Sequence, residues 1–299
     1  SRGLTDFEIC CVIETMLRYL LLVYVLLFNV VSASEPTTPA LLCADQADNR
    51  VKLIDPLSKT EIKPTLWCYP KAGDTLSKYM PTDAKRVVLD GVVHILAVYH
   101  GRVRLIRFAD HKLIKDYPSY GSCHSAELLP DGNLVTANSN HGKLRIHRSE
   151  EDFTDLDIPY AHGVVWEKKA KQLWVLGDKL YRFAYKGGKL LTVKTYKLPL
   201  TATGHDLFPS RDGMKFYVSN NDALFVFDLK EETFTKLSDL REIKSVSEHT
   251  DGSIWVTDPK NLEGVASWQS DAVIQLSVHA DKQTRYVHQG AKFYKARWW

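Results

Sequence analysis

Three histidines recur at the same place in a repeating pattern of this sequence. His124 lies in a Cys-His-Ser-Ala segment, His162 in Ala-His-Gly-Val and His205 in Gly-His-Asp-Leu, and each leads into a predicted strand. Their spacings of 38 and 43 residues match a repeat that forms one four-stranded sheet, as in a blade of a β-propeller. Because a propeller repeats its geometry around an axis, we expect the three imidazoles to converge at the channel mouth. Three neutral imidazoles could hold a divalent metal ion.

Lysines are predicted to complete this ring of side chains. Alignment of the predicted blades places six residues at the entrances of the inner strands: Lys85, His124, His162, His205, Lys244 and Lys292. Imidazole and ammonium groups together suit an anionic ligand, because an ammonium group neutralises a carboxylate. The sequence therefore predicts a binding site for an anionic small molecule or the end of a glycan.

Two further residues are candidates for ligand binding. Trp268 lies in an insertion at residues 259–271, where the other predicted blades have a short turn. Long loops are often functional, so we expect this loop over the histidine face, with Trp268 either stacking on a sugar or packing inward to hold the loop. Glu127 points either into the channel or into its blade. A single histidine at a strand end is usually an ordinary hydrogen-bonded residue, but the threefold recurrence favours a site.

Short β-branched and aromatic runs, separated by turn residues, are predicted to position these side chains from residue 40 onward. The predicted second strands of the blades are 40–45, 94–99, 133–138, 172–177, 215–220 and 253–258. The predicted third strands are 50–55, 102–108, 143–148, 179–185, 223–229 and 272–278. Six strands of each kind indicate an all-β, six-bladed β-propeller.

The two ends of the repeat region fit this count of blades. The first unit lacks a first strand, whereas the chain finishes with an unpaired strand at residues 292–298. Pairing of this C-terminal strand with the N-terminal strands would close the ring and cover both exposed edges. The alternative is a β-sandwich, which the regular repeats and the absence of a dividing linker disfavour.

The first 34 residues resemble a targeting region. An apolar run from Leu20 to Val31 follows Met16 and a basic residue, and small residues follow the run. This pattern predicts a signal peptide that starts at Met16, with an upstream segment before it, and a single domain at residues 35–299. We therefore expect a secreted protein with no membrane attachment after removal of the signal. Cys43, Cys68 and Cys123 would then allow at most one disulfide, whose pairing the sequence leaves open.

Charge and motifs exclude several classes of function. The net formal charge is +3 and the sequence contains no block of lysines and arginines, which argues against a dedicated nucleic-acid-binding protein. A glycine-rich phosphate loop, a paired Cys-x-x-Cys motif and a Gly-x-Ser-x-Gly nucleophile elbow are also missing from the sequence. We expect a monomer that binds a small molecule or a glycan.

Several segments resemble a known family. The segments 122–133, 161–166 and 204–207, with the ending 293–297, are similar to a family of secreted bacterial propeller proteins of unknown function. More distantly, the arrangement resembles oligogalacturonate lyases. That resemblance implies a divalent metal on channel histidines and a basic residue that removes the proton α to a uronate carboxylate, although no lyase signature is recognisable here.

The leading hypothesis is a carbohydrate-active lyase. A metal on His124, His162 and His205, or Lys244 alone, would neutralise the substrate carboxylate, and a lysine or free histidine would remove the α-proton. The candidate catalytic residues are therefore Lys244, His205 and His162. The alternatives are a non-catalytic ligand- or glycan-binding propeller and a lactonase-like hydrolase, although the aligned positions are basic rather than carboxylate-rich.

Overall fold

Six four-stranded antiparallel sheets form the part of the protein that the structure describes. The computed structural model describes residues 35–71, 73, 78–201, 203–258, 266–277 and 282–299. Five sheets each use four consecutive strands, and the sixth combines the last strand with the first three. The chain is therefore an all-β, six-bladed propeller, as the repeat spacing predicts. Six separate sheets exclude the sandwich alternative.

The blades follow one another along the chain. Blade 1 contains β4 (Pro81–Leu89), β5 (Val92–Tyr99), β6 (Arg102–Arg107) and β7 (Leu113–Pro118). Blade 2 contains β8 (Cys123–Leu128), β9 (Leu134–Asn138), β10 (Lys143–His147) and β11 (Phe153–Asp157), with a 3-10 helix (Ser139–His141) after β9. Blade 3 contains β12 (Gly163–Glu167), β13 (Gln172–Leu176), β14 (Lys179–Lys186) and β15 (Lys189–Lys197).

The remaining blades complete the ring. Blade 4 contains β16 (Gly204–Pro209), β17 (Lys215–Asn220), β18 (Leu224–Asp228) and β19 (Thr233–Ser238). Blade 5 contains β20 (Val246–Glu248), β21 (Ile254–Thr257), β22 (Ala272–Leu276) and β23 (Gln283–Val287). Blade 6 contains β24 (Phe293–Trp298), β1 (Leu41–Asp45), β2 (Arg50–Ile54) and β3 (Thr65–Tyr69). The predicted second, third and closing strands are confirmed, with boundaries that differ by one or two residues.

Burial decreases from the inner strands to the outer strands. The second strand of blade 2, β9, is buried along its whole length, whereas the outer strand of blade 3, β15, is mostly exposed. The two inner strands of each blade are covered on both sides by neighbouring blades, so second strands such as β13 are mostly apolar. Trp174 of blade 3, for example, packs edge to face against Phe216 of blade 4 at 5.3 Å between ring centroids. The core therefore consists of contacts between blades.

The C-terminal strand closes the ring. β24 pairs antiparallel with β1, with Trp298 opposite Leu41 and Ala296 opposite Cys43. The pairing extends one residue further, because the backbone N–H of Trp299 donates to the carbonyl of Ala40 at 3.0 Å. The predicted closure is confirmed, and it removes both sheet edges that an open ring would expose.

The described part of the chain also shows the state of three cysteines and contains no helix that could span a membrane. Cys43, Cys68 and Cys123 are free thiols in the described part of the chain. Among the described residues, no helix is long and apolar enough to cross a bilayer. The predicted upstream segment and signal peptide at residues 1–34 lie outside the described residues, so secretion stays a prediction.

Candidate functional site

A β-bulge at the start of the inner strand determines which side chains form the ring. In four inner strands the pairing skips one residue, namely Thr82, His124, His205 and Tyr294. A bulge leaves the extra residue out of the ladder and redirects its side chain. The four blades therefore place one redirected side chain each at the same height of the channel.

The two remaining blades place a residue just before the inner strand at this height. His162 directly precedes β12, and Lys244 lies two residues before β20. We call the six residues the histidine ring: Thr82, His124, His162, His205, Lys244 and Tyr294. The four residues of blades 2 to 5 match the sequence alignment.

The alignment of Lys85 and Lys292 with this ring differs from the structure. Thr82 occupies the position in blade 1 and Tyr294 the position in blade 6. Lys85 lies three residues further along β4, and Lys292 lies before β24, where its backbone N–H donates to Asp45 Oδ1 at 3.0 Å. β4 begins four residues before Lys85, and Lys292 directly precedes β24, so both lysines lie two or three residues away from the bulge position. The bulge that selects the ring residue depends on strand pairing, which the sequence does not display.

One half of the ring is a cluster of two imidazoles and a phenol. His124 Nδ1 lies 2.5 Å from His162 Nε2, and the Tyr294 hydroxyl lies 3.0 Å from His124 Nδ1 and 3.3 Å from His162 Nε2. The two imidazoles meet edge to face, with 4.2 Å between ring centroids. The arrangement allows one proton to lie between the two nitrogens, with the phenol oxygen in contact with both.

The other half of the ring is charged. Lys244 Nζ lies 3.0 Å from His205 Nε2 and 2.9 Å from Glu242 Oε2. His205 Nε2 also contacts Asn221 Oδ1 and lies 3.3 Å from Glu242 Oε2. The two halves meet because the His162 and His205 rings lie edge to face at 5.3 Å between centroids. An ammonium group therefore lies next to the imidazole cluster.

Burial keeps the three imidazoles neutral at neutral pH. Desolvation and the nearby cations, Lys295 and Lys244 among them, hold the pKa of His124 and the pKa of His162 well below the usual histidine range. Burial and then Lys244 lower the pKa of His205 to about 4. Burial also lowers the pKa of Lys244, an effect that Glu242 opposes. The ring thus offers neutral proton acceptors beside a cation.

One ring nitrogen has no partner. His162 Nδ1 is buried and forms no hydrogen bond within the described part of the chain. If Nε2 of His162 accepts the shared proton, Nδ1 is an unpaired donor, and if Nε2 donates it, Nδ1 is an unpaired acceptor. An unsatisfied buried group costs about 1–3 kcal/mol. This nitrogen is therefore a candidate contact for a ligand or a water molecule.

A buried ion-pair network closes the channel below the ring. Arg297 donates to Asp83 at 2.8 Å and to Asp206 at 2.8 Å, and Lys295 donates to Asp206 at 2.8 Å. All four side chains are at most 2% exposed. Burial alone would raise the pKa of each carboxyl, but Arg297 and Lys295 hold the pKa of Asp83 and the pKa of Asp206 below the usual range. The network therefore stays charged at neutral pH.

This network is not among the features predicted from the sequence, although the sequence contains a signal for it. Asp83, Asp206 and Lys295 each directly follow a ring residue, and Arg297 lies two residues further along β24. A charged residue inside an otherwise apolar inner strand must be paired when buried. Four charges at neighbouring positions of aligned inner strands could have indicated a central network.

Glu127 and Lys85 contact each other below the network rather than at the ring. Lys85 Nζ lies 3.3 Å from Glu127 Oε2 and 2.6 Å from the carbonyl of Val164. Glu127 thus points into the channel, which is the first of the two orientations considered for it. Both residues line a cavity at the far end of the channel. Ligand binding by either residue at the histidine ring stays untested.

The described end of the insertion lies on the same face as the histidine ring. Gln269 Nε2 donates to Gln46 Oε1 at 2.7 Å, and Gln46 Nε2 donates to the carbonyl of Pro81, at the entrance of β4, at 3.0 Å. Trp268 is 44% exposed, which leaves its ring available for stacking. Residues 259–265 of the insertion lie outside the described residues.

Two imidazoles, rather than three, point at one position. The third imidazole is directed elsewhere, because His205 Nε2 faces the ammonium group of Lys244. Among the described residues, no group of three or more His, Cys, Asp and Glu side chains is arranged to hold a metal ion. The described geometry therefore does not fit a three-histidine metal centre.

Comparisons with other proteins identify the family. Residues 63–299 match the Family of unknown function (DUF6528). The chain belongs to this family. None of the curated proteins matches the sequence. The resemblance to a propeller family of unknown function is thereby confirmed.

Solved structures share the fold of this DUF6528 member. A protein of unknown function from Bacteroides caccae is 14% identical, with a TM-score of 0.61 over 88% of this chain and 99% of that chain. A provisionally named 6-phosphogluconolactonase from Bacteroides uniformis is 12% identical, with a TM-score of 0.55 over 87% of this chain and 84% of that one. A catalytically inactive histidine-to-alanine variant of virginiamycin B lyase from Staphylococcus aureus, with quinupristin, is 14% identical, with a TM-score of 0.50 over 70% of each chain. At these identities the similarity concerns the fold alone.

The lowered histidine pKa values predict a loss of stability in mild acid. Burial lowers the pKa of His205 to about 4 and the pKa of His147, in the interior of blade 2, to about 4. Between pH 6.5 and 4 the unfolded chain binds protons that the folded chain excludes, so stability is complete above pH 6.5 and falls with decreasing pH. We expect the protonation equilibrium of each of these two histidines to lower the free energy of unfolding by about 2 kcal/mol at pH 4.5.

Urea denaturation at several pH values measures this effect. The free energy of unfolding should decrease from pH 7 to pH 4.5, and the slope should be smaller in His205→Gln than in the unmodified protein. His249→Gln, directly after the inner strand of blade 5, serves as the control and should keep the full slope. Equal slopes in all three proteins would contradict the prediction.

Proposed function

We propose that the histidine ring binds the carboxylate of an anionic ligand and removes a proton from the adjacent carbon, as in a lyase acting on a uronate. The observation that carries this proposal is the His124–His162 pair of neutral imidazoles, 2.5 Å apart, next to the ammonium group of Lys244. A proton acceptor must be neutral to act, and a cation nearby stabilises the negative charge that develops when the proton leaves. The ring supplies both within one group of contacting side chains.

Each residue has a separate role in the proposed reaction. Lys244, whose ammonium group also pairs with Glu242 at 2.9 Å, donates a further hydrogen bond to the carboxylate of the substrate. An imidazole nitrogen of the His124–His162 pair takes the proton from the carbon α to that carboxylate. The electron pair of the broken C–H bond forms a C=C bond as the adjacent C–O bond to the leaving oxygen breaks. Tyr294 remains protonated because burial raises its pKa, so its hydroxyl can donate a proton to the leaving oxygen.

A direct assay of this reaction uses oligogalacturonate. The unsaturated uronate that forms contains a conjugated C=C bond, whose ultraviolet absorbance reports turnover. We expect His162→Gln to reduce kcat at least about 100-fold, as for loss of a general base. The same substitution at His249 should leave kcat unchanged. Absence of turnover with every uronate polymer tested, in the unmodified protein, would contradict the lyase proposal.

Ligand binding without turnover would favour the alternative, a non-catalytic binding propeller. Calorimetric titration with galacturonate separates the two, because it detects binding whether or not a reaction follows. Lys244→Met should weaken binding at least about tenfold in both cases, since one charge-assisted contact is worth about 1.5–3 kcal/mol. Trp268→Ala tests the proposed stacking on the sugar in the same titration.

Two further proposals concern a metal and a hydrolase. A divalent ion is a second candidate for the position between His124 Nδ1 and His162 Nε2, because these nitrogens face each other. The separation of 2.5 Å would have to widen to roughly 3 Å or more for two bonds of about 2.1 Å. Metal analysis of the purified protein tests this proposal. A lactonase-like hydrolase is less supported, because the ring itself contains no carboxylate.

A secreted, monomeric protein that acts on glycans outside the cell is consistent with this proposed function. Sedimentation of the purified protein tests whether it is a monomer. Detection of the protein in the culture medium tests whether it is secreted.

A further inference from the structure

A second cavity lies at the opposite end of the channel from the histidine ring. Its volume is about 350 Å³, which falls in the range of small-molecule sites, about 300–1,000 Å³. It is lined by residues at the far ends of the inner strands, among them Lys85, Glu127 and Phe208. The buried network of Arg297 with its two aspartates lies between this cavity and the ring. The two ends of the channel are therefore separate.

The lining of this cavity is strongly basic. Its charged residues are Lys85, Arg86, Lys168, Arg211 and Arg297 on the basic side and Glu127 on the acidic side. Three of the basic groups are already neutralised: Lys85 pairs with Glu127, Arg86 pairs with Glu35 at 2.8 Å, and Arg297 pairs with the buried aspartates. The remaining positive charge comes from Lys168 and Arg211.

Lys168 and Arg211 lie next to each other in the ring order of the blades. Lys168 follows the inner strand of blade 3 and Arg211 follows the inner strand of blade 4. Both side chains are exposed at the cavity, and within the described part of the chain neither forms an ion pair. Two unpaired cations on one side of a cavity attract an anionic group.

The uncharged lining contains four aromatic side chains beside aliphatic ones. Trp166, Phe208, Trp298 and Trp299 contribute to the cavity wall. The guanidinium group of Arg297 lies over one face of the Phe208 ring at 4.4 Å from its centroid, which holds this ring in place. The indole Nε1 of Trp298 is buried and has no acceptor among the described residues. A bound molecule with an acceptor atom could supply the missing hydrogen bond.

We propose that this cavity is a second binding site, for a small anion with an aromatic body such as an aromatic carboxylate or sulfonate. The anionic group contacts Lys168 and Arg211, and the aromatic body packs against Trp166 and Phe208. Aromatic side chains provide a large contact area at low cost in conformational entropy. This site is independent of the reaction proposed for the histidine ring, because the buried network separates the two ends.

Anilinonaphthalene sulfonate is a suitable probe, since it combines an aromatic body with one negative charge and its fluorescence reports binding. We expect saturable binding of one probe per chain to the folded protein. Lys168→Ala/Arg211→Ala should raise the Kd at least about tenfold, because charge-assisted contacts are lost. The control Lys169→Ala/Lys186→Ala removes the same charge at exposed positions outside the cavity and should change the Kd by less than about twofold.

Two further measurements make the result specific. Circular dichroism melts of each variant show whether the fold is intact, so that probe binding to unfolded chain is recognised. His162→Gln alters the other end of the channel and should leave the Kd unchanged. Loss of affinity in the cavity variant alone supports the proposal. Equal Kd values in the cavity and control variants, or no saturable binding to the unmodified protein, would overturn it.

Discussion

Deletion of residues 290–299 is expected to abolish folding of the domain. The deletion removes β24, which is the inner strand of blade 6 and pairs with β1 over its whole length. It also removes Lys295 and Arg297, which leaves Asp83 and Asp206 as buried carboxylates without their cationic partners. Unpaired strand edges promote aggregation, and uncompensated buried charges are strongly destabilising. We expect insoluble protein, or soluble protein without a cooperative thermal transition.

A circular permutant provides the matched control for this deletion. Its chain begins at residue 290, continues through a short Gly-Ser linker from Trp299 into residue 35, and ends at residue 289. The linker can be short because Trp299 N–H bonds to the carbonyl of Ala40 at 3.0 Å. The permutant keeps β24 and should melt cooperatively. A truncated chain that is soluble and melts cooperatively would show that the closure is dispensable.

Replacement of Arg297 by methionine is expected to lower the free energy of unfolding by about 3–5 kcal/mol, the usual cost of breaking a buried ion pair on one side. Arg297 bonds to both Asp83 and Asp206 and is 2% exposed. Methionine fills much of the same volume, but it leaves Lys295 as the main cation near two carboxylates. The remaining negative charge has no solvent to stabilise it.

Arg107→Met is the control for the loss of an arginine ion pair. Arg107 pairs with Asp110 at 2.6 Å, but its side chain is 36% exposed, and exposed pairs contribute only about 0–1 kcal/mol. Chemical denaturation of both variants at pH 7 compares the two. A loss below about 1 kcal/mol for Arg297→Met would show that the network contributes specificity rather than stability.

The behaviour of this network at low pH follows from the direction in which its carboxyl pKa values are shifted. The folded-state pKa of Asp83 and that of Asp206 lie below their unfolded-state values. Their contribution to the free energy of unfolding is therefore complete above about pH 4, and it decreases as the pH falls through the folded-state pKa values. The loss of stability between pH 6.5 and 4 accordingly comes from the histidines, whereas the network fails only in stronger acid.

Much of the fold could be predicted from the sequence because its signals are local. Hairpin turns, β-branched runs and the spacing of His124, His162 and His205 recur with the period of a blade, so the number of blades can be counted. A missing strand at one end and a surplus strand at the other likewise predict the pairing of residues 40–45 with 293–298. These patterns depend on neighbours in the chain, and the sequence displays those neighbours directly.

The composition of the candidate site depended on contacts that the sequence does not display. Bulges place Thr82 and Tyr294 in the ring instead of Lys85 and Lys292, and a bulge depends on how one strand packs against the next. Lys244 faces His205, so the Nε2 atom of His205 contacts the ammonium group instead of the nitrogens that His124 and His162 direct at each other.

The sequence by itself determined a closed propeller of six blades with histidines and a lysine at one end of the channel. Only the tertiary structure decided which of those groups touch, which charges are neutralised and where the channel is blocked. Arg297, for example, reaches Asp83 and Asp206 across 214 and 91 residues of sequence. Such a contact exists only after the ring has closed, because closure brings distant inner strands around one axis, where buried charges must find partners.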